Sequence, residues 1–122
     1  MDTNALMMAV ELDVSPFDEI ERLLGAADLV VPRTVLAELD RLSEGNGSEA
    51  AAARVGQKLA DQYCRPIETA EGSADAEIAR LATNDDVEFV VTNDTPLRRQ
   101  VLDAGIPVIS LRGRTKLGII RP

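Results

Sequence analysis

The stretch Val90-Val91-Thr92-Asn93-Asp94-Thr95-Pro96 constrains this chain more than any other. An apolar run closes in Thr-Asn-Asp, and Thr-Pro follows at once, which reads as a strand handing over to a helix. Thr favours the N-cap, and Pro is tolerated at the first helical position because that N–H has no intrahelical partner. Asp94 is therefore expected at the carboxyl end of a strand, the edge at which open α/β sheets bind ligands.

The rest of the chain alternates between the same two kinds of element. Residues 5–12 are apolar enough for a buried helical turn or two. Ser15-Pro16 opens a helix with Phe17, Ile20, Leu23 and Leu24 on one stripe, and Gly25 stops it. Residues 28–31 form a short buried strand ended by Pro32, and a helix over 33–42 turns Val35, Leu36, Leu39 and Leu42 inward. After the Gly45-Asn46-Gly47-Ser48 loop comes an alanine-rich helix over 49–63, then a weak strand at 67–69. Ser73 caps a helix over 74–83; strands at 87–92 and 106–111 flank a helix over 95–104, and a basic tail follows from 113. Such alternation predicts an α/β fold, a three-layer sandwich with a mainly parallel central sheet, as one domain over 1–122 with a basic tail at 112–122. The first strand of that sheet should precede Asp2, where only Met1 stands, so it is expected to be absent.

Composition narrows the chemistry. Among 122 residues, 45% are hydrophobic and 28% charged, which suits a globular chain with a real core rather than a disordered one. No run approaches the roughly 20 apolar residues that span a bilayer, and the single Cys64 cannot form an internal disulfide, so a cytoplasmic location is expected. There is no histidine, which removes Ser-His-Asp and Cys-His catalysis and mixed His/Cys zinc sites. Carboxylates remain, and they suit hard cations such as Mg²⁺ or Mn²⁺. The charge is also divided: residues 1–96 carry 7 basic and 20 acidic side chains, and residues 97–122 carry 6 and 1, within a net −8. The basic end suits phosphates, while the acidic body disfavours indiscriminate nucleic-acid binding.

Four acids are candidates for one site: Asp2 and Asp94 at strand ends, Glu38 beside the buried stripe of its helix, and Asp75 in the first turn of another. Gathered above one sheet edge they would repel one another unless cations neutralised them, which is the reason to expect a divalent metal. Each also has a plainer reading. Asp75 would favour a helix N-terminus, Glu38 would be solvated, Asp94 would form an Asx-turn, and Asp2 would be loosely held at a terminus.

Taken in order, Asp2-Thr3-Asn4-Ala5-Leu6, Val31-Pro32-Arg33-Thr34-Val35-Leu36-Ala37-Glu38-Leu39, Ala74-Asp75-Ala76-Glu77-Ile78 and Val91-Thr92-Asn93-Asp94 resemble the motifs of PIN-domain nucleases. The resemblance covers nearly the whole chain. It implies a PIN fold and Mg²⁺- or Mn²⁺-dependent endonucleolytic cleavage of RNA that leaves a 5′-phosphate. By motif position, Asp2, Glu38, Asp75 and Asp94 would be the acidic ligands, with Asn4, Thr92 and Asn93 as flanking polar residues. Arg112, Arg114 and Lys116 would meet RNA if the last strand continues that far. The family includes VapC-type toxins, which a small antitoxin inhibits, and ribosomal-RNA-processing nucleases; both roles fit. PIN domains commonly pair, and Leu6, Met7 and Met8 with the Phe17 helix would offer an apolar patch for a homodimer. Two other readings stand beside this one: a PIN-like scaffold that binds RNA or protein without cutting, and a receiver-like signalling domain. The latter also uses acids at strand ends, but here Asp2 lacks a neighbouring acid.

Overall fold

The computed structural model describes residues 1–11, 15–67, 87–113 and 115–122. Its apolar runs pair into two short sheets. In one, β1 (Val30–Pro32) lies parallel to β2 (Arg65–Ile67), with Val30 opposite Arg65. In the other, β3 (Val90–Val91) lies parallel to β4 (Val108–Arg112), which turns back into the antiparallel β5 (Lys116–Ile120). The Met1–Asp2 segment joins the pieces. The Met1 amine donates to the Val30 carbonyl at 3.1 Å, and the Asp2 N–H donates to the Val91 carbonyl at 3.2 Å. The order across the fold is therefore β2, β1, Met1–Asp2, β3, β4, β5, and Asp2 stands beside the carboxyl ends of both β1 and β3.

The helices are α1 (Thr3–Glu11), α2 (Pro16–Leu24), α3 (Arg33–Ser43), α4 (Ser48–Tyr63) and α5 (Thr95–Asp103). Pro32 is at once the last residue of β1 and the N-cap of α3, so no loop separates strand from helix. On α3, Val35 and Leu39 are fully buried while Leu36 and Leu42 pack at the margin. Helix α4 turns Ala52, Ala53, Gly56 and Ala60 inward and lies against both α1 and α3. The approach is close because the residues are small. A Cβ on Gly56 would stand 3.3 Å from Leu39 Cδ2 and 3.4 Å from the Leu6 carbonyl oxygen.

From Ala5 to Met8 the side chains of α1 point to different sides of the helix and all are buried, while Val10 near its end is exposed. Leu6 and Met7 join the cluster of Val31, Val35, Leu39 and Val90, whereas Ala5 and Met8 join that of Ile20, Val91, Ile109 and Leu117. A helix with apolar residues all round belongs in the interior. The apolar patch expected for a homodimer is thus not a surface: Leu6, Met7 and Met8 are at most 3% exposed, and Phe17 is buried against Tyr63 with ring centroids 4.6 Å apart.

The segment expected as a basic tail is instead a strand. Leu117 and Gly118 are buried, and β5 pairs along its length with β4. As the edge of its sheet, β5 would expose a row of unpaired backbone groups. Helix α2 covers two of them: Glu19 Oε1 accepts from the Leu117 N–H at 2.9 Å, and Arg22 donates to the Leu117 carbonyl at 2.8 Å. Two boundaries also move. The ladder of β2 begins at Arg65 rather than at 67, because the Arg65 N–H is taken up by the Leu29 carbonyl at 2.8 Å. The N-cap of the helix after β3 is Asp94, one residue earlier than Thr95. The helix expected over 74–83 lies outside the described residues. No helix among the described residues is long and apolar enough to cross a membrane.

Candidate active site

Thr92 links the first acid of the chain to the last of the four candidates. Its hydroxyl donates to Asp2 Oδ2 and accepts the Asp94 N–H at 3.1 Å. The local sequence makes this geometry. Val90 and Val91 fill β3, the Thr92 N–H continues the ladder to the Ile109 carbonyl at 3.0 Å, and Asp94 then caps α5. Thr92, fully buried, is held in one place by both strand and helix.

Asp2 is 3% exposed. Its Oδ1 accepts the Ala5 N–H at 2.9 Å, the N-cap arrangement that satisfies an orphan donor of α1. Far from loosely held, it is fixed by β3, by α1 and by Thr92. Burial raises its pKa above the usual carboxylate value and Asp94 pushes in the same direction, while the Thr92 and Ala5 hydrogen bonds and the positive Met1 amine work against the rise. The Met1 amine is the one cation among the groups that shift it. Asp94, by contrast, spends no side-chain hydrogen bond on capping α5, so its carboxylate is not accounted for by an Asx-type cap. Its charge is felt at Asp2, which places the two acids in one neighbourhood.

Glu38 reaches the same edge from α3. Its Oε2 accepts the Thr3 hydroxyl at 3.0 Å, and Thr3, next to Asp2 in sequence, is itself buried. Among the described residues no three acids, histidines or cysteines gather closely enough to hold a metal ion between them. Asp75 and the side chain of Asn4 lie outside the described residues. Asn93 is committed elsewhere: its Oδ1 accepts the Leu111 N–H at 2.6 Å and its amide approaches the Met8 sulfur, tying β3 to β4 and α1.

The donor set nevertheless fits a hard divalent cation. All its groups are oxygens, and Mg²⁺ is commonly held by one or two carboxylates with waters and substrate phosphates completing its shell. Asp2 and Asp94 could hold such an ion, with Glu38 at the rim. Two carboxylates that share one neighbourhood, with the Met1 amine as the one cation shifting Asp2, leave negative charge that a divalent cation would offset.

The basic residues border this edge. Because β4 runs parallel to β3, Arg112 at its end lies on the same side of the sheet as Asp94. Lys116 is directly opposite Arg112 across the hairpin, and both are exposed. Like charges facing each other cost stability, a cost that the Glu19 carboxylate near Lys116 partly offsets. Arg114 lies outside the described residues. The sequence reading missed Thr3, whose only signal was adjacency to Asp2, and it missed the α2 contacts to β5.

Comparison with known proteins agrees with this architecture. The family described as "PIN like domain" matches residues 1–114, and the chain belongs to it. No curated protein matches. Among solved structures, that of the PIN domain endonuclease Utp24 is similar with a TM-score of 0.81 and 23% sequence identity, over 99% of this chain and 89% of that one. At that identity the likeness is one of fold.

Proposed function

We propose that this protein is an endoribonuclease that works with Mg²⁺ or Mn²⁺ at the Asp2–Asp94 edge. The observation that carries the reading is the buried Asp2 carboxylate, bridged through Thr92 to Asp94 and offset, among the described residues, by the Met1 amine rather than by an arginine or lysine. Membership of the PIN-like family and a fold shared with an endonuclease support it.

A bound divalent cation supplies a Lewis acid that makes water a better nucleophile and offsets charge on the scissile phosphate. The chain does the rest. Asp2 and Asp94 hold the ion, and Thr92 fixes Asp2 in orientation. Thr3 holds Glu38 at the rim, where it and Asp75 would complete the acidic set directly or through water. Arg112 and Lys116, with Arg114, receive neighbouring phosphates of the RNA. A toxin restrained by a small antitoxin and an RNA-processing enzyme would share this machinery, and a short reading frame just upstream would favour the toxin.

The test is cleavage of a labelled single-stranded RNA with Mn²⁺, with EDTA, and with Asp94→Asn. Cutting that is lost in both EDTA and the variant is the expected result. One alternative is a PIN-like scaffold that binds without cutting. A folded protein that binds RNA yet leaves it intact in Mn²⁺ and Mg²⁺ would establish that alternative.

A further inference from the structure

The amino end of β1 carries a groove that the acidic site does not use. Asp2 stands beside the carboxyl ends of β1 and β3, whereas Leu29, just before β1, lines this groove at the other end of the strand. The sequence leaves the space open. The link from α2 to β1 begins Gly25-Ala26-Ala27, and none of the three has a side chain long enough to fill it. The groove's volume is about 220 Å³. Small-molecule pockets begin at roughly 300 Å³, so this one is sized for a single side chain.

Its lining sets the chemistry. Ile20 and Leu29 make an apolar base, and Phe17 and Tyr63 stand at one wall with ring centroids 4.6 Å apart. Stacking covers one face of the Tyr63 ring, yet the residue is 49% exposed. The rim is acidic. Asp18 and Glu21, both exposed, are three residues apart on α2, and like charges so placed repel. Among the described residues neither takes part in an ion pair, and Asp18 accepts the neutral Ser15 hydroxyl at 2.8 Å. The nearby cations are engaged elsewhere: Arg22 by Glu19 and the Leu117 carbonyl, and Arg65 by Asp28 at 2.7 Å.

An apolar base, an open aromatic ring and two carboxylates without a counter-charge are complemented by a long apolar stem that ends in a planar cation. We propose that this groove binds an arginine side chain presented by a basic partner protein. The methylene stem lies on Ile20 and Leu29, and the guanidinium stacks on Tyr63 and donates to Glu21 or Asp18. Lysine suits the groove less, because its ammonium is a compact, strongly hydrated point charge that neither stacks nor forks. RNA is repelled by the acidic rim, and a second copy of this chain, at a net charge of −8, is repelled as a whole. The inference does not depend on the nuclease reading.

The test is an NMR titration of the protein with the peptide acetyl-Gly-Leu-Arg-Leu-Gly-amide and with versions carrying lysine or norleucine in place of arginine. The arginine peptide is expected to give saturable amide shifts at Ala26, Ala27, Leu29 and Tyr63, the lysine peptide to bind more weakly, and the norleucine peptide most weakly. Glu21→Gln should weaken the arginine peptide about tenfold, the share of one charge-assisted hydrogen bond, and leave RNA cleavage unchanged. Tyr63→Leu keeps an apolar contact with Phe17 and should narrow the preference for arginine over lysine. Equal binding of the three peptides overturns the inference, as does unchanged affinity in Glu21→Gln or a set of shifts confined to the Asp2–Asp94 edge. Shifts of the groove amides that grow with protein concentration in the absence of peptide make a second copy the occupant and overturn the assignment to a partner. A protein that fails to cut RNA yet passes this titration loses the nuclease reading alone.

Discussion

Glu19 and Asp2 are both carboxylates that tie a helix to a strand, and the fold perturbs them in opposite directions. Glu19, on α2, accepts from Arg22 at 2.9 Å and from the Leu117 N–H, and these partners hold its pKa down at about 2. Asp2, before α1, accepts from a hydroxyl and a backbone N–H, both neutral, and burial outweighs them to push its pKa up. The difference lies in what each group lacks. Glu19 carries its counter-charge within the protein and so completes a latch over the edge of β5. Asp2 is packed where a negative charge is costly and, among the described residues, has the Met1 amine but no arginine or lysine to offset it. Natural folds tolerate such a deficit mainly where a ligand relieves it.

Asp94→Asn is the strongest way to break that contrast. Loss of RNA cleavage should exceed the roughly 100-fold upper range for an outer partner of a metal site. The metal-free thermal midpoint should hardly move, since the carboxylate makes no capping bond. Cleavage that survives this variant would show that the Asp2 edge is not the site.

Asp2→Asn sharpens the contrast from the other side. Cleavage should again be lost, yet stability without metal should hold or rise. A raised carboxylate pKa means that the charged form destabilises the fold as pH climbs past the unfolded value, and the neutral amide avoids that while still accepting the Ala5 N–H. Adding Mn²⁺ should lift the midpoint of the wild type and not that of Asp2→Asn, because a ligand stabilises only the state that binds it. An equal lift in both would place the ion elsewhere.

Arg112→Gln and Lys116→Gln should act more mildly. Each is expected to weaken RNA binding and to flatten the dependence of log affinity on log salt by about 0.7, the share of one phosphate contact with a single strand. Cleavage at saturating RNA should be little changed. An unaltered salt slope would make the facing pair an ordinary piece of surface.

Glu19→Gln should be the gentlest. It removes the ionic part of the latch, so the thermal midpoint at neutral pH should fall slightly while cleavage stays intact. The wild-type advantage is present above the ordinary glutamate value of 4.5, shrinks as pH falls below it, and is gone only once pH has fallen through the folded value of about 2. A difference that persisted below that value would mean that packing, not charge, secures β5.

The places of Asp94 and of α3 were legible because their signals are local. Asp94 could be placed at a strand end from Val90, Val91 and the Thr-Pro that follows, and α3 from the spacing of Val35, Leu36, Leu39 and Leu42. The strand β5 was not legible in that way. Leu117, Gly118, Ile119 and Ile120 carry little period-two alternation, and Lys116 next to Arg112 and Arg114 reads as a solvated tail. Only the pairing with β4 and the grip of Glu19 and Arg22 on Leu117 make it a strand. The burial of α1 was legible from its apolar run, but not that two clusters from distant parts of the chain cover Leu6, Met7 and Met8 and leave no apolar patch there for a partner.

By itself, then, the amino-acid sequence determined which elements alternate, which acids stand at their ends, and that oxygen donors rather than imidazole or thiolate must do any chemistry. Those are consequences of residue type and spacing over a few positions. Tertiary structure alone decided that Thr92 joins Asp2 to Asp94 across 90 residues and that Thr3 holds Glu38. Hydrogen bonds of that kind depend on where separate strands end relative to one another. That register is set by core packing over the whole sheet and leaves no periodic trace in the chain.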